Sequence, residues 1–166
     1  MPQLSDSTAP PDAPPAVIDA VLAASRVLVA VAARSIAAAG HDITVLQYRV
    51  LVVLASKGPA RPVDLAEALA ISSSATTRLC DRLSRKGLIS RARESDTADR
   101  RAVRLGLTAR GAALLDEVTS RRRAQIGRIV AAVPVRDRSR LVAAFAAFSA
   151  AAGEIPDAQW PVRWEI

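Results

Sequence analysis

The fold is decided by residues 76–111, which begin with TTRLCDRLSRKGLISR (76–91) and end with DRRAVRLGLTARG (99–111). The first part has the apolar spacing of an amphipathic helix, and Gly87 follows it as a C′ glycine does. In the second part valine and leucine alternate with smaller or polar residues, which is the pattern of a half-buried strand. The stretch predicts an arginine-bearing helix followed by an antiparallel hairpin. The predicted strands are residues 88–93 and 102–107.

The residues before this helix complete a helix-turn-helix. Pro62 opens a short helix over residues 63–70, and serines 72–74 offer N-cap hydroxyls to a second helix that runs to Lys86. Two short helices joined by a tight turn make a helix-turn-helix, and the hairpin behind them makes the winged form. In that geometry the second helix enters a DNA major groove, while the hairpin tip reaches the backbone or the neighbouring minor groove.

The second helix has two faces that predict different roles. At 100° per residue, one face is expected to be core and holds Ala75, Thr76, Leu79 and Leu83. The opposite face is expected to meet the groove and holds Ser74, Thr77, Arg78, Asp81 and Arg85.

The N-terminal residues of a recognition helix reach base edges best, so Arg78 is expected to form two hydrogen bonds with guanine. The predicted base readers are Ser73, Ser74, Thr77 and Arg78. Arg82 and Arg85 are predicted to bind phosphates. The alternative for each of these arginines is a solvent-exposed ion pair.

The distribution of charge points to the same stretch. The 166-residue chain carries a net charge of +7, which favours an acidic polymer or surface as partner. Residues 78–104 contain nine basic and four acidic side chains and so supply +5 of it. A solvated face is the simpler interpretation of such a run, but here the run spans a helix and a hairpin that share a surface.

Three motifs in this region resemble the MarR (multiple antibiotic resistance regulator) family. They are D-R-L-x-x-x-G-L-I-x-R at residues 81–91, D-x-R at residues 99–101 and L-T-x-x-G at residues 107–111, and residues 46–51 resemble the second helix of the family. The resemblance covers roughly residues 43–118. It implies a winged helix-turn-helix whose long N- and C-terminal helices form a homodimer, and a fold that is mainly α (α+β).

The resemblance also implies roles for individual residues. In the family the aspartate of D-x-R braces the wing and its arginine enters the minor groove, which implies these roles for Asp99 and Arg101, with Arg100 beside them in the DNA-binding set. The alternative is that the pair only stabilises the hairpin. The family implies a small aromatic or anionic effector in a cleft between the dimerisation helices and the DNA-binding winged helix-turn-helix, which we call the reader. The candidate ligand-binding residues are His41, Tyr48 and Arg49. The alternative is that Tyr48 packs in the core and no ligand exists.

The flanks predict the domain organisation. The helices near both termini carry more apolar surface than a small domain can bury, which favours a homodimer over a single larger core. The expected organisation is a flexible arm (1–15), a dimerisation helix (16–42), the winged helix-turn-helix (43–118), dimerisation helices (119–152) and a tail (153–166). The Arg121–Arg123 triplet is expected to contact flanking phosphate or to form a solvated helix face.

Several functional classes are disfavoured. With one histidine and no nucleotide-binding or zinc-protease motif, the chain is not expected to be an enzyme or to hold a cofactor or metal. A single cysteine and no signal-peptide pattern indicate a cytoplasmic protein, and charges within residues 16–33 argue against a membrane span. Some MarR-like proteins sense oxidants through cysteine, but Cys80 lies at the edge of the buried helix face and is expected to be a small core residue.

The sequence predicts a homodimeric transcriptional repressor that binds double-stranded DNA at a pseudo-palindromic operator and is released by a small ligand. One alternative is a sequence-tolerant architectural protein that uses the same arginines only on phosphate, with a steep salt dependence. Another is a winged-helix module that binds protein instead of DNA.

Overall fold

The computed structural model describes residues 14–40, 42–93 and 103–154. Within these residues the chain forms six helices and one two-stranded antiparallel sheet. In chain order they are α1 Pro15–Ala38, α2 Val45–Lys57, α3 Pro62–Leu69, α4 Ser73–Arg85, β1 Ile89–Arg93, β2 Val103–Leu107, α5 Ala109–Ala131 and α6 Val135–Ala151. The predicted helix-turn-helix and hairpin are confirmed, with boundaries shifted by one or two residues at most.

Local chemistry determines where these helices start and stop. Thr44 and Gln47 form a reciprocal capping box at the start of α2, in which each side chain accepts a hydrogen bond from the other residue's backbone N–H. Ser72 caps α4 by accepting from the Ala75 backbone at 3.3 Å. Gly87 ends α4 with φ +67°, a left-handed conformation that costs glycine little. The polar residues that flank each helix therefore satisfy its terminal backbone groups.

The sheet has the register expected of the hairpin. Strand β1 pairs with β2 from Ile89 opposite Leu107 to Arg93 opposite Val103. Leu105 and Leu107 are buried, as their alternation predicts, and Leu105 also exchanges two backbone hydrogen bonds with Ala60 in the α2–α3 loop. This extra bridge attaches the base of the wing to the helix-turn-helix.

The core lies between α2, α3, α4, the sheet and the first half of α5. It is almost entirely aliphatic, and its largest fully buried side chains are Leu51, Leu54, Leu65, Leu83, Leu88, Leu105 and Leu114. Thr76, Leu79 and Leu83 of α4 are buried and Ala75 is half-buried, which confirms the predicted core face. The recognition helix is thus held by packing on one side only.

The two terminal helices are far less buried within one chain. Helix α1 contacts α5 through one end, where Val31, Ser35 and Ile36 are buried and the Ser35 hydroxyl accepts a hydrogen bond from Gln125 at 3.1 Å. Helix α6 has no buried residue at all, and Phe148 is 53% exposed. The apolar side chains of α6 are therefore not covered by the other described residues of the chain.

Helix α1 is also long and apolar enough to cross a membrane when judged by length and composition alone, and only 6% of its most apolar window is buried. The core helix of a soluble protein and a signal sequence meet the same criteria. Four parts of the chain lie outside the described residues: residues 1–13 of the predicted arm (1–15), His41, residues 94–102 between the two strands, and residues 155–166 of the predicted tail (153–166).

Candidate nucleic-acid interface

The N-terminus of α4 presents a row of small polar side chains to solvent. Ser72 is the N-cap, so Ser73 and Ser74 occupy the first turn, and both are exposed. The exposed Thr77 donates its hydroxyl to the Ser73 carbonyl at 3.0 Å, which leaves the oxygen lone pairs free to accept. All three predicted base readers of this group thus lie on the outer face of α4.

Two arginines follow on the same face. Arg78 and Arg82 are exposed, and within the described part of the chain neither guanidinium group forms an ion pair or hydrogen bond. Arg85, one turn further on, directs its Nε to the Asp81 carbonyl at a long 3.4 Å. The solvent-exposed ion pair considered from the sequence is therefore not what holds Arg78 or Arg82. Their guanidinium groups are available to a ligand.

Asp81 differs from its predicted place on the groove-facing side. It is half-buried at the flank of α4 and forms an ion pair with Arg91 of β1. The reason is the hairpin, which folds back beside α4 and brings a cation against the helix. Arg91 therefore braces the wing against the recognition helix. Asp81 and Arg91 are the first and last residues of the motif at residues 81–91, but the motif alone did not show that they pair.

A second contact fixes the root of the wing. The Thr108 hydroxyl donates to the Gly87 carbonyl at 2.7 Å and accepts from the Gly111 backbone at 3.1 Å, while the Thr108 N–H donates to the Leu88 carbonyl at 3.2 Å. A Cβ on Gly111 would lie 2.1 Å from the Leu88 oxygen, so only glycine permits this approach of α5 to the start of β1. The L-T-x-x-G motif thus joins α4, β1 and α5 at one point.

The wing tip carries three predicted DNA contacts, Asp99, Arg100 and Arg101, and all three lie outside the described residues. Arg104 of β2, which follows this stretch in the sequence, is exposed and donates to the Pro59 carbonyl at 3.2 Å. The roles of Asp99, Arg100 and Arg101 stay predictions from the sequence.

Cys80 lies on the inner side of α4 and is 1% exposed. Burial raises the pKa of its thiol, against the opposing influence of the nearby Arg91 guanidinium. A buried thiol that stays protonated is a poor nucleophile, which agrees with the prediction of a small core residue.

A second feature of the chain is a cleft of about 760 Å³ between α1, α2 and α5. Its walls are mostly aliphatic, and two of the predicted ligand residues, Tyr48 and Arg49, line it. Tyr48 is 5% exposed and its hydroxyl lies 3.5 Å from that of Thr119, while Arg49 forms an ion pair with Glu154 at 3.3 Å. The third candidate, His41, lies outside the described residues.

Two arginines of the α5 triplet also line this cleft. The solvated face expected for the triplet is wrong for Arg122, which is half-buried. Contact of the triplet with flanking phosphate stays a prediction. Leu115, Thr119, Arg122 and Ile126 recur at helical spacing, so they share the face of α5 that α1 and α2 cover. Arg121 instead points outward and pairs with Glu117 at 2.6 Å.

Among the described residues there is no cluster of three or more histidine, cysteine or acidic side chains that could hold a metal.

Comparison with known proteins places these features in a family. A model described as the MarR family matches residues 41–102. The transcriptional repressor MdtR of Bacillus subtilis is 36% identical over 88 residues, which are 53% of this chain and 56% of that protein. The crystal structure of RV1404 from Mycobacterium tuberculosis aligns with 40% identity and a TM-score of 0.78, over 85% of this chain and 95% of that one.

The chain belongs to the MarR family. It spans little more than half the length of the curated relatives that it matches. A further solved structure, NadR in complex with 4-hydroxyphenylacetate, shares 25% identity with a TM-score of 0.59, over 89% of this chain and 96% of that one.

The residues of the family motifs hold the helices and the wing together. The motif glycines lie where α4 ends and where α5 meets β1, and the motif arginine at 91 holds the wing to α4. Arg122 and Glu154 line the cleft but belong to no motif, and no pattern in the sequence indicated the position of Glu154. Helical spacing from Thr119 is the only signal that pointed Arg122 inward.

Proposed function

We propose that this chain is a homodimeric transcriptional repressor of the MarR type that binds a pseudo-palindromic operator in double-stranded DNA. The observation that carries the proposal is the outer face of α4, where small polar residues at the N-terminus precede two exposed and unpaired arginines, Arg78 and Arg82. An arginine fork matches the N7 and O6 acceptors of guanine in the major groove, and helix N-terminal hydroxyls match phosphate or base edges. The name of the relative MdtR, a transcriptional repressor, supports repression.

Dimer formation is supported by the surface that the single chain leaves uncovered. Apolar side chains on α1 and α6 are half or more exposed, among them Val17, Leu22, Val29, Val142 and Phe148. A second copy related by a two-fold axis covers the same patch on both subunits. The two copies of α4 then face successive major grooves, so the half-sites of the operator lie about one helical turn, roughly 34–36 Å, apart.

Release from DNA by a small molecule is supported by the cleft at the junction of reader and terminal helix. It is walled by α1, which belongs to the proposed dimer region, and by α2 and α5, which pack against each other. NadR, a MarR-like protein crystallised with 4-hydroxyphenylacetate, supports an aromatic or anionic effector. A ligand that binds one spacing of the two α4 helices better than the other shifts the dimer toward it. The protein is proposed to act in the cytoplasm, where its operator is.

The experiment that tests the proposal is selection of bound sequences from a random duplex library by the purified protein at near-physiological salt. A two-fold symmetric motif with half-sites one helical turn apart is the expected result. Binding without enrichment, with a steep loss of affinity as salt rises, would replace a repressor by an architectural protein. No binding to any duplex would replace it by a protein-interaction module.

A further inference from the structure

The cleft described above contains an unusual set of charges for an aliphatic site. Three arginines line it, Arg49, Arg122 and Arg123, against one acidic side chain, Glu154. The remaining walls are apolar and come mainly from Ile36, Val45, Val52, Ile126 and Val130. A ligand that fits this surface has an apolar body and a negative charge.

One of these arginines lacks a hydrogen-bond acceptor. The Nε of Arg122 is enclosed by protein and has no partner among the described residues. A buried guanidinium N–H without an acceptor is costly, and a carboxylate is the acceptor whose geometry suits it best. Arg122 is therefore the residue of the cleft that gains most from binding an anion, because its Nε–H lacks an acceptor.

A second arginine already has an internal carboxylate as partner. Glu154 lies 3.3 Å from Arg49, and both side chains are about half exposed, at 47% and 48%. Ion pairs of that exposure contribute little to stability, so a competing carboxylate displaces this one easily.

The backbone at the end of α6 holds Glu154 in place. Gly153 takes φ +68° and the Glu154 N–H donates to the Ser149 carbonyl at 3.0 Å, so the carboxylate projects from a defined helix terminus. Helix α6 makes few other contacts with the rest of the described residues, and the Arg49–Glu154 pair links its end to α2.

We infer that Glu154 is an internal competitor for the effector site: a ligand carboxylate binds Arg49 and Arg122, displaces Glu154, and thereby frees the end of α6 from the reader. The inference rests on the proposed function and adds to it the residues that recognise the anion and the contact that is exchanged. Ligand binding and the position of a dimer helix are coupled through that exchange.

The test is calorimetric titration of the full-length protein with benzoate and with its uncharged counterpart benzamide. Glu154→Gln is expected to bind benzoate about two- to fivefold more tightly than wild type, the range that loss of a competing exposed ion pair allows. Glu67→Gln, which removes one exposed charge from α3 with no contact to the cleft, is the matched control and is expected to leave the affinity unchanged. Arg122→Gln is expected to weaken benzoate at least tenfold and to leave benzamide unaffected.

Equal benzoate affinity in Glu154→Gln and Glu67→Gln would overturn the inference, as would an equal gain for benzamide. Failure of benzoate to bind any of these proteins would overturn it too. DNA binding by the same preparations separates this result from the proposed function. Intact operator binding without benzoate binding leaves the repressor standing, and the expected benzoate pattern without sequence-selective DNA binding leaves the anion site standing.

Discussion

The middle of the chain buries its apolar side chains, whereas the helices at its two ends leave many of theirs exposed. Helices α2 to α4, the sheet and the first half of α5 surround leucines that are almost fully buried. Helices α1 and α6 are as rich in apolar residues, yet Val29 is 64% exposed and Val142 is 70% exposed. The difference teaches that the reader has a complete core within one chain, whereas the terminal helices expose apolar surface that the other described residues do not cover.

The uneven burial assigns different sensitivities to the two regions. A substitution in the reader is expected to change the stability of the single chain, because protein interiors are close-packed and backbone segments approach each other closely. A substitution on α1 or α6 is expected to change the proposed association of two chains, since those side chains contact mainly solvent in the single chain.

The largest expected effect is on association. Leu28→Asp or Phe145→Asp, at positions 37% and 41% exposed in one chain, places a charge in the proposed interface, and two-fold symmetry makes each substitution act twice. A buried unpaired charge costs several kcal/mol, so we expect monomers by sedimentation velocity. Val63→Asp, at an exposed apolar position of α3, is the control that stays dimeric. An unchanged sedimentation coefficient for both helix variants would show that the interface lies elsewhere.

The next effect is on the fold of the reader. Gly111→Ala forces a methyl group to within 2.1 Å of the Leu88 oxygen, and we expect a loss of unfolding free energy of about 3 kcal/mol or more, above the usual cost of overpacking. Gly127→Ala on the same helix meets nothing within 4 Å and should gain up to about 1 kcal/mol from helix propensity. Chemical denaturation measures both. Similar values for the two would mean that α5 moves away from β1 at little cost.

A smaller effect separates base reading from phosphate binding. We expect Arg78→Ala to cost about 1–3 kcal/mol on the selected operator and little on random duplex, because a bidentate base contact is lost. Arg82→Ala should weaken both DNAs alike and reduce the salt slope by about one. Arg128→Ala, an exposed cation on α5, controls for net charge, and fluorescence anisotropy measures all three. Equal losses on both DNAs for Arg78→Ala would remove its role as a base reader.

The smallest effect concerns Cys80. Burial raises the pKa of this thiol in the folded protein, so folding favours the protonated form. Its contribution to stability is full below the unfolded pKa and is lost as pH rises through the folded pKa, which places the loss above about pH 9. Denaturation at pH values below and above that point should show a shallower loss for Cys80→Ala than for wild type. A parallel loss would mean that other groups cause it.

The same residue offers a functional check. If Cys80→Ser left peroxide-dependent release from DNA unchanged, oxidation of this thiol would play no part in regulation. A burial of this degree predicts that outcome, since oxidants react with exposed thiolates.

The reader was predictable because its signals are local. Ser72 caps a helix that begins within a residue of its predicted position, and Gly87 ends α4 where its φ of +67° requires glycine. The alternation in β2 predicted which of its side chains are buried. Each of these signals depends on neighbours a few residues apart, which the sequence displays directly.

The candidate site was predictable only in part. The positions of Arg78 and Arg82 follow from helical geometry, but the pairing of Asp81 with Arg91 depends on how the hairpin folds back on α4. The cleft was harder still, because Arg49 and Glu154 are 105 residues apart in sequence and meet only when α2 and the end of α6 come together. The inward position of Arg122 was missed because the run of three arginines suggests a solvated face, and only its helical spacing from Thr119 indicates otherwise.

The sequence by itself determined the winged helix-turn-helix, its polar recognition face and its family, because caps, glycines and apolar periodicity act within one or two helical turns. Only the tertiary structure decided which charges are paired, where the cleft lies and which apolar helices remain uncovered. Those properties depend on contacts between residues far apart along the chain, and the free energy of such contacts depends on burial that no local pattern specifies.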